Sequence, residues 1–482
     1  MEELQDQETR TGVPEDSGFR FGVSGLDSLL VGGLRGGSLL VVAGHPGAGK
    51  TTLGASLCAA NALEGRRCIY FSVQEPREKL YANLKRVGLD LEGLEERGLL
   101  RFVKLPLVSD GEAAREVLDE IGSEAAEYGA RVVVVDSVTP ILKAVRDSVK
   151  SRSVLQEFFA TLPLMLNGIV VLLAEIPIIE ERVELGDIEF VADTILLLTH
   201  RVEKNRLIRE IIIRKARGSP LTIAKVPFAI TAKGLKVYTP PNLETIPALE
   251  ESKKYKLPCD VIAKYTGSLF GGTSVYISYP PDARPPRILG FILLTGFINN
   301  AKLMVITFRL PPSQIKRVIF NELVGNACPG STIGELERYI KEKVEFLSYN
   351  PSAFSLEELY SRILFTVDKI RPDIVSFLGS DVLLFEDRSQ YDLIMNLHLY
   401  FKLKGILLFN LGAHASDLEY NVYSRFADVV ARYIYYRDPQ EDRVRYKLYL
   451  WRVGLDPRII PYKQLEKCNM EMASITNSCR SY

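Results

Sequence analysis

What this 482-residue sequence lacks narrows its class before any motif is considered. There is no surplus charge: 60 basic side chains balance 60 acidic ones, which removes any global electrostatic attraction to nucleic acid or an anionic membrane. There is no apolar run near the roughly 18–20 residues that span a bilayer. The longest, such as 168–174 and 288–298, fall well short, so no membrane is expected. The six cysteines include no C-x-x-C pair, and Cys58 and Cys68 lie in apolar segments. Buried free thiols are therefore expected, rather than metal or disulfide chemistry. The opening MEELQDQETRTG is polar and acidic, unlike a secretory signal or transit peptide, and a cytoplasmic location is the expectation. What is present is a globular composition, 47% apolar and 25% charged, in a chain long enough for two domains of roughly 200–250 residues.

Residues 38–63, SLLVVAGHPGAGKTTLGASLCAANAL, read as a buried strand, a glycine-rich turn and an Ala/Leu-rich helix. Gly44 to Thr51 fits G-x-x-x-x-G-K-[ST] at every defined position. Gly47 and Gly49 let the backbone curl until successive N–H groups face phosphate oxygens, and the helix starting near Lys50 adds its positive dipole end. The expected phosphate cradle comprises Gly44, His45, Pro46, Gly47, Ala48, Gly49, Lys50, Thr51 and Thr52. In it Lys50 reaches the β and γ phosphates, and the Thr51 hydroxyl ligates Mg²⁺.

Such a site needs an acid for the metal, and ARVVVVDS supplies one: four valines form a buried strand with Asp136 at its carboxyl end. Hydrolysis also needs a group to take a proton from water. The strand RCIYFSV ends in Gln74, Glu75 and Pro76, and Glu75 is the candidate, against the plainer reading of an acid that complements a helix dipole.

These residues carry a family resemblance. In order along about residues 20–240 stand SGLDSLLVGGLRGG, GHPGAGKTT, FSVQEPREKL, VVVVDSVTPIL, LLAEIP, EFVADTILLL and IIIRKARGSP; together they resemble the KaiC-like branch of the RecA/RadA superfamily of P-loop ATPases. The resemblance implies an α/β fold with a mostly parallel sheet flanked by helices, ATP and Mg²⁺ as ligands, and a homo-oligomer, often a hexameric ring, with ATP between subunits. It also implies that Lys215 and Arg217, before Gly218, reach the phosphates of a neighbouring subunit; read alone, IREIIIRKARG is a charged hairpin edge. One departure stands out. The family commonly carries two adjacent acids after the second core strand, and the first is here Gln74, whose amide accepts a proton poorly, so slow hydrolysis is expected.

The second half reads as a copy. Shifted by 235 residues, LVVAGHPGAGKTTLG falls on VYISYPPDARPPRIL, CIYFSVQEP on LMVITFRLP and Asp193 on Asp428; a shift of 237 brings NGIVVLLAE onto KGILLFNLG. The copied site has lost its chemistry. Gly44, Gly49, Lys50 and Thr51 meet Tyr279, Arg284, Pro285 and Pro286, and proline has no N–H to offer a phosphate. Asp136 meets Leu378 or Gly379, Glu75 meets Leu310, and Lys215 and Arg217 fall near Trp451 and Val453. Asp381 is three residues beyond the metal-ligand position and restores it only if the strand is misplaced. Ser416, in a region comparable to the autokinase site of two-domain clock proteins, has no cradle to supply it with ATP.

The expected organisation is two tandem RecA-like domains: a polar tail (1–17), an ATPase domain (18–241), a linker (242–257), a pseudo-ATPase domain (258–467) for assembly, regulation or protein partners, and a flexible tail (468–482). Two other functions compete with a slow ATPase. One is a nucleotide-gated scaffold with little turnover. The other is a RadA-like DNA repair ATPase, which the zero net charge and missing basic tail disfavour.

Overall fold

The computed structural model describes residues 18–475 apart from 31–33, 146–148, 177–187, 204–205, 220–222, 240–242, 244, 283–286, 324–330, 384–388, 415–419, 421–422 and 440–441. The tail 1–17 and the expectations for Arg284, Pro285, Pro286, Ser416, Cys328 and Cys479 lie outside the described residues. The chain divides into two compact units, Met1–Thr239 and Pro240–Tyr482.

Unit 1 is a nine-stranded sheet built from β1 (Ser38–Gly44), β2 (Cys68–Ser72), β3 (Leu100–Lys104), β4 (Val132–Asp136), β5 (Ile169–Glu175), β6 (Thr194–Glu203), β7 (Arg206–Ala216), β8 (Lys225–Thr231) and β9 (Gly234–Val237). Its order is β3-β2-β4-β5-β1-β6-β7-β8-β9, parallel through β6 and antiparallel beyond. Both faces are covered. Leu40, Val42, Val134 and Leu173 share one core, Leu39, Val41, Val133 and Leu172 the other, which is why these strands are unbroken apolar runs rather than alternating ones. The helix Gly111–Tyr128 shows ordinary termini: Asp110 accepts the N–H groups of Glu112 and Ala113, and Gly129 closes the far end in the left-handed region. The helix Lys50–Leu63 differs, because no side chain caps its start.

Unit 2 pairs β10 (Glu250–Tyr255) with β11 (Leu269–Gly271). Beside them lies an eight-stranded sheet of β12 (Ser274–Tyr279), β13 (Leu303–Thr307), β14 (Val344–Ser348), β15 (Ile374–Leu378), β16 (Leu407–Ala413), β17 (Val429–Asp438), β18 (Arg443–Arg452) and β19 (Arg458–Ile460). The order β14-β13-β15-β16-β12-β17-β18-β19 repeats that of the first eight strands of the unit 1 order, from β3 to β8, with no counterpart of β9. The chain is thus α/β with two mostly parallel, helix-flanked sheet units of the tandem RecA-like kind. Equivalent hydrogen bonds recur. Asp193 accepts from the N–H of Leu39 at 3.0 Å and Asp428 from that of Ser274 at 2.8 Å.

The register of one block differs from the sequence alignment. Gly44 stands opposite Glu175 and Tyr279 opposite Ala413, so β5 maps onto β16 with a shift of 238 rather than 237. A slip of one residue exchanges the faces of every side chain in a strand. Both strands are buried on both faces, so their apolar runs carried no alternation that fixes register.

Three further expectations are corrected. The stretch read as a linker contains β10, held to its unit by Lys253 Nζ–Asp373 Oδ1 (2.7 Å) and by Tyr255 Oη donating to the Asp373 carbonyl (3.1 Å). The last domain does not end at 467: a helix runs Tyr462–Ile475 and buries Leu465, Cys468 and Met472. That apolar stripe has helical spacing but is carried partly by Cys and Met. Finally, the four cysteines among the described residues are not free thiols. Cys58 bonds Cys68 and Cys259 bonds Cys468, with Cα atoms 5.8 and 5.0 Å apart. Packing of the helix Lys50–Leu63 on β2, and of the first and last helices of unit 2, sets these distances, which spacing in sequence does not reveal.

Candidate functional site

β1 delivers the chain to Gly44, where a Cβ would lie 2.4 Å from the Leu198 carbonyl oxygen, so only glycine fits between β1 and β6. Gly47 (φ 76°) and Gly49 (φ 104°) then take left-handed conformations that curl the loop. Because Gly49 offers no capping side chain, the first N–H groups of the helix Lys50–Leu63 lack a side-chain acceptor, and the helix start is an anion site by construction. His45 is anchored through Nδ1 to the Ile176 carbonyl at 3.3 Å, Pro46 is exposed, and the Thr52 carbonyl accepts from Ser56 Oγ.

Lys50 is 7% exposed and donates to the carbonyls of Gly44 (2.8 Å) and His45 (3.0 Å). Burial lowers its pKa, and the carboxylates of Glu175 and Asp136 oppose that shift. Thr51 Oγ1 donates to Asp136 Oδ2 at 2.8 Å, and Tyr70 Oη donates to the same oxygen at 2.7 Å. Burial raises the Asp136 pKa against the lowering effect of those two hydrogen bonds and of Lys50. Ser137 Oγ, next in the chain, is buried without a partner among the described residues. A hydroxyl, a carboxylate and a buried ammonium beneath an uncapped helix start fit a nucleotide phosphate with its divalent cation.

Glu75 sits in a turn in which its N–H donates to Ser72 Oγ (3.2 Å) and Ser72 Oγ donates to its carbonyl (2.6 Å). Its carboxylate accepts from Asn83 Nδ2 at 3.2 Å and lies 3.5 Å from Lys79 Nζ. Gln74 is exposed. Lys215 and Arg217 are not brought to this site. Lys215 Nζ donates to the carbonyls of Glu189 (2.9 Å) and Phe190 (3.2 Å), and Arg217 pairs with Asp193 at 3.3 Å. Both lie beside the start of β6. Gly44 is at the other end of β1, roughly 10–16 Å along the sheet at about 3.3 Å per residue.

Sequence reasoning missed three neighbours. Tyr70 looked like one more apolar strand residue, yet it fixes Asp136. Asn83 is one polar residue among many on a charged helix. Glu175 stands opposite Gly44 and acts on both Lys50 and Asp136; an acid ending a core strand in LLAEIP was the available signal.

In unit 2 the same positions are occupied differently. The N–H of Phe308 donates to the Leu378 carbonyl (3.1 Å) as that of Val73 donates to Asp136 (2.8 Å), so Leu378 stands where Asp136 does. The N–H of Leu310 donates to Thr307 Oγ1 (3.1 Å), which puts Leu310 in the place of Glu75. Asp381 lies in the turn Ser380–Val382 after β15 and pairs with Arg309 at 3.1 Å. Val453 donates its N–H to the Asp428 carbonyl as Arg217 does to Asp193, so no guanidinium occupies that position.

The order of the parallel strands, the loop after β1 and the acid at the end of β4 give unit 1 a RecA-like P-loop fold. Residues 19–242 match the family model described as ATPase: KaiC. A UPF0273 protein of Aeropyrum pernix is 26% identical over 233 residues, covering 45% of this chain and 92% of that protein. The circadian clock oscillator protein KaiC of Thermostichus vulcanus is 28% identical over 216 residues, covering 45% of this chain and 41% of its own length. A UPF0273 protein of Thermotoga maritima is 24% identical over 233 residues, covering 45% of this chain and 94% of that protein.

Proposed function

We propose that the protein binds MgATP in unit 1 and hydrolyses it slowly, and that unit 2 is a pseudo-ATPase domain for assembly, regulation or protein binding. The observation that carries this reading is the contact of Thr51 with Asp136 beneath the uncapped start of the helix Lys50–Leu63. Thr51 and Asp136 would hold Mg²⁺, which when bound neutralises charge on the transferred phosphoryl group. Lys50 would exchange its two carbonyl partners for phosphate oxygens, while the loop N–H groups from Gly44 to Thr52 hold the rest of the phosphate chain. Glu75 would orient the attacking water and accept its proton; Gln74 beside it orients but is a poor base.

Lys215 and Arg217 lie beside the start of β6, at the opposite end of β1 from their own phosphate cradle, which supports their action on the ATP of a neighbouring subunit in a homo-oligomer, on the pattern of a hexameric ring. Among the described residues no helix is long and apolar enough to cross a membrane. The proposal does not extend to an autokinase at Ser416, nor to the timekeeping that the relatives' name denotes. A second reading is a nucleotide-gated scaffold with little turnover, favoured by Gln74 and by the engagement of Glu75 with Asn83 and Lys79. The deciding experiment measures molecular mass in solution with and without MgATP, on the wild type and on Lys50→Ala. Assembly that needs ATP and fails in the variant supports an interfacial site, and an unchanged mass in all four samples rejects it.

A further inference from the structure

Unit 2 keeps a cavity where unit 1 has the catalytic side of its phosphate site. A half-open pocket of about 130 Å³ lies between β12, β13, β15 and the helices Ile288–Ile298 and Pro312–Leu323, with Tyr279, Leu310, Val318, Glu322 and Leu378 in its wall. The polar side chains that unit 1 carries there have been exchanged together. Leu378 replaces Asp136 and Leu310 replaces Glu75 by their hydrogen-bonded positions. Val318 replaces Asn83, the partner of Glu75, at the shift of 235 that also joins Pro76 to Pro311. Yet the space did not close, although interiors normally pack to crystal density. Its size is that of engineered apolar cavities that accept a benzene ring.

Two charged side chains line this space, Arg309, which pairs with Asp381, and Glu322. Glu322 reaches it from the helix Pro312–Leu323, and its Oε2 accepts only the Gly290 N–H, at 3.1 Å, among the described residues. No cation among those residues lies within ion-pair distance of it; Arg287 acts on it from farther off, and Arg309 is committed to Asp381. Burial pushes the Glu322 carboxyl up, against the lowering effect of the Gly290 N–H and of Arg287. The less exposed charge changes sign: unit 1 offers its ligand a buried ammonium, Lys50, and unit 2 a half-buried carboxylate.

We propose that this cavity binds a small amine with an apolar, ring-sized body, the ammonium pairing with Glu322 and the body lying against Leu310, Val318 and Leu378. The proposal rests on unit 2 having no nucleotide site. It assigns that unit a ligand of the opposite charge to ATP, so that one fold senses two chemistries.

The test is calorimetric titration of the full chain with 2-phenylethylamine, with 2-phenylethanol as the neutral control. The amine should bind the wild type, and at least tenfold more weakly Glu322→Gln; 2-phenylethanol should bind the wild type at least tenfold more weakly than the amine. Val318→Phe, which fills the cavity, should abolish binding. Fluorescence of Trp451, the single tryptophan and a unit 2 residue, verifies that each variant is folded. No heat with millimolar amine on the wild type, or equal affinity in folded Glu322→Gln or Val318→Phe, overturns the proposal. ATP titration of Lys50→Ala separates the premise: stoichiometric binding retained at wild-type affinity would show a nucleotide site outside the unit 1 loop, whatever the amine does.

Discussion

Leu378 stands in unit 2 where Asp136 stands in unit 1, each with its carbonyl accepting the N–H of the residue after the neighbouring strand, from Phe308 at 3.1 Å and Val73 at 2.8 Å. An alkyl side chain holds no cation and accepts no hydrogen bond from a threonine. The backbone of the site was copied without its chemistry, which confines the proposed nucleotide chemistry to unit 1.

Removing single groups from unit 1 should therefore remove function from the whole chain. Lys50→Ala should lower ATP affinity by about 100-fold, since a buried charge-assisted partner of the phosphates is lost. Asp136→Asn should retain ATP binding but lose its dependence on Mg²⁺, with turnover down about 100-fold or more. Titration with a fluorescent ATP analogue, with and without Mg²⁺, measures both; wild-type affinity in Lys50→Ala would displace the site from this loop.

The two residues after β2 should divide the labour of handling water. Glu75→Gln is expected to cut turnover by about 100-fold, the range general-base groups contribute, while ATP binding persists. Gln74→Glu should raise turnover. Steady-state phosphate release reads both variants, and an unchanged rate in Glu75→Gln shows that the base lies elsewhere.

Lys215 and Arg217 lend themselves to a mixing experiment. If they act between subunits, Lys215→Ala/Arg217→Ala should still bind ATP yet hydrolyse little. Mixed with Lys50→Ala, it should recover part of the activity, because some interfaces then combine an intact cradle with intact basic residues. Absence of recovery in mixtures shown to exchange subunits argues for action within one chain, or for the hairpin-edge role that the sequence also allowed.

His398 gives unit 2 a pH dependence. It is buried, hydrogen-bonded with Ser274 Oγ (3.0 Å) and the Phe426 carbonyl (3.3 Å), and burial lowers its pKa to about 4, with Phe426 and Asp428 opposing and Lys402 adding. The unfolded chain takes up a proton near the reference value of 6.5, whereas the folded one refuses it until about 4. Stability is thus fully present above 6.5 and falls as pH drops from there to about 4. The total loss is about 3 kcal/mol, because holding a proton off costs about 1.4 kcal/mol for each pH unit between the two values. Urea unfolding followed by Trp451 fluorescence should show this slope in the wild type and a shallower one in His398→Gln. Parallel slopes would assign the acid sensitivity to other groups.

The cysteine pairing is countable. Alkylation of the denatured, unreduced chain should leave Cys58, Cys68, Cys259 and Cys468 unlabelled, and reduction should expose these four. Cys468→Ser should destabilise unit 2 by about 2–4 kcal/mol, the usual worth of a cross-link that closes a long loop. Six labelled thiols without reduction would contradict the pairing.

Much was legible in the sequence because it rests on local patterns. The loop from Gly44 to Thr51 names its own chemistry, four valines before Asp136 mark a buried strand, and an offset of 235 carries the repeat through GHPGAGKTT and YPPDARPPR. Less was legible where the signal is non-local. Tyr70 and Glu175 join the site through neighbours that only strand order supplies, and β10 was hidden by its charge because Asp373, which pairs with Lys253, lies far along the chain.

The sequence by itself determined the phosphate-loop motif, the two-unit plan and the loss of polar groups from the second copy, since each is a matter of which residue types occur at which spacing. Tertiary structure decided the register of β16, the pairing of Cys259 with Cys468 across 209 residues, and the survival of a cavity behind Leu378. A strand buried on both faces has no alternation to fix its pairing, and neither a distance between remote side chains nor an unfilled volume exists until the chain has packed.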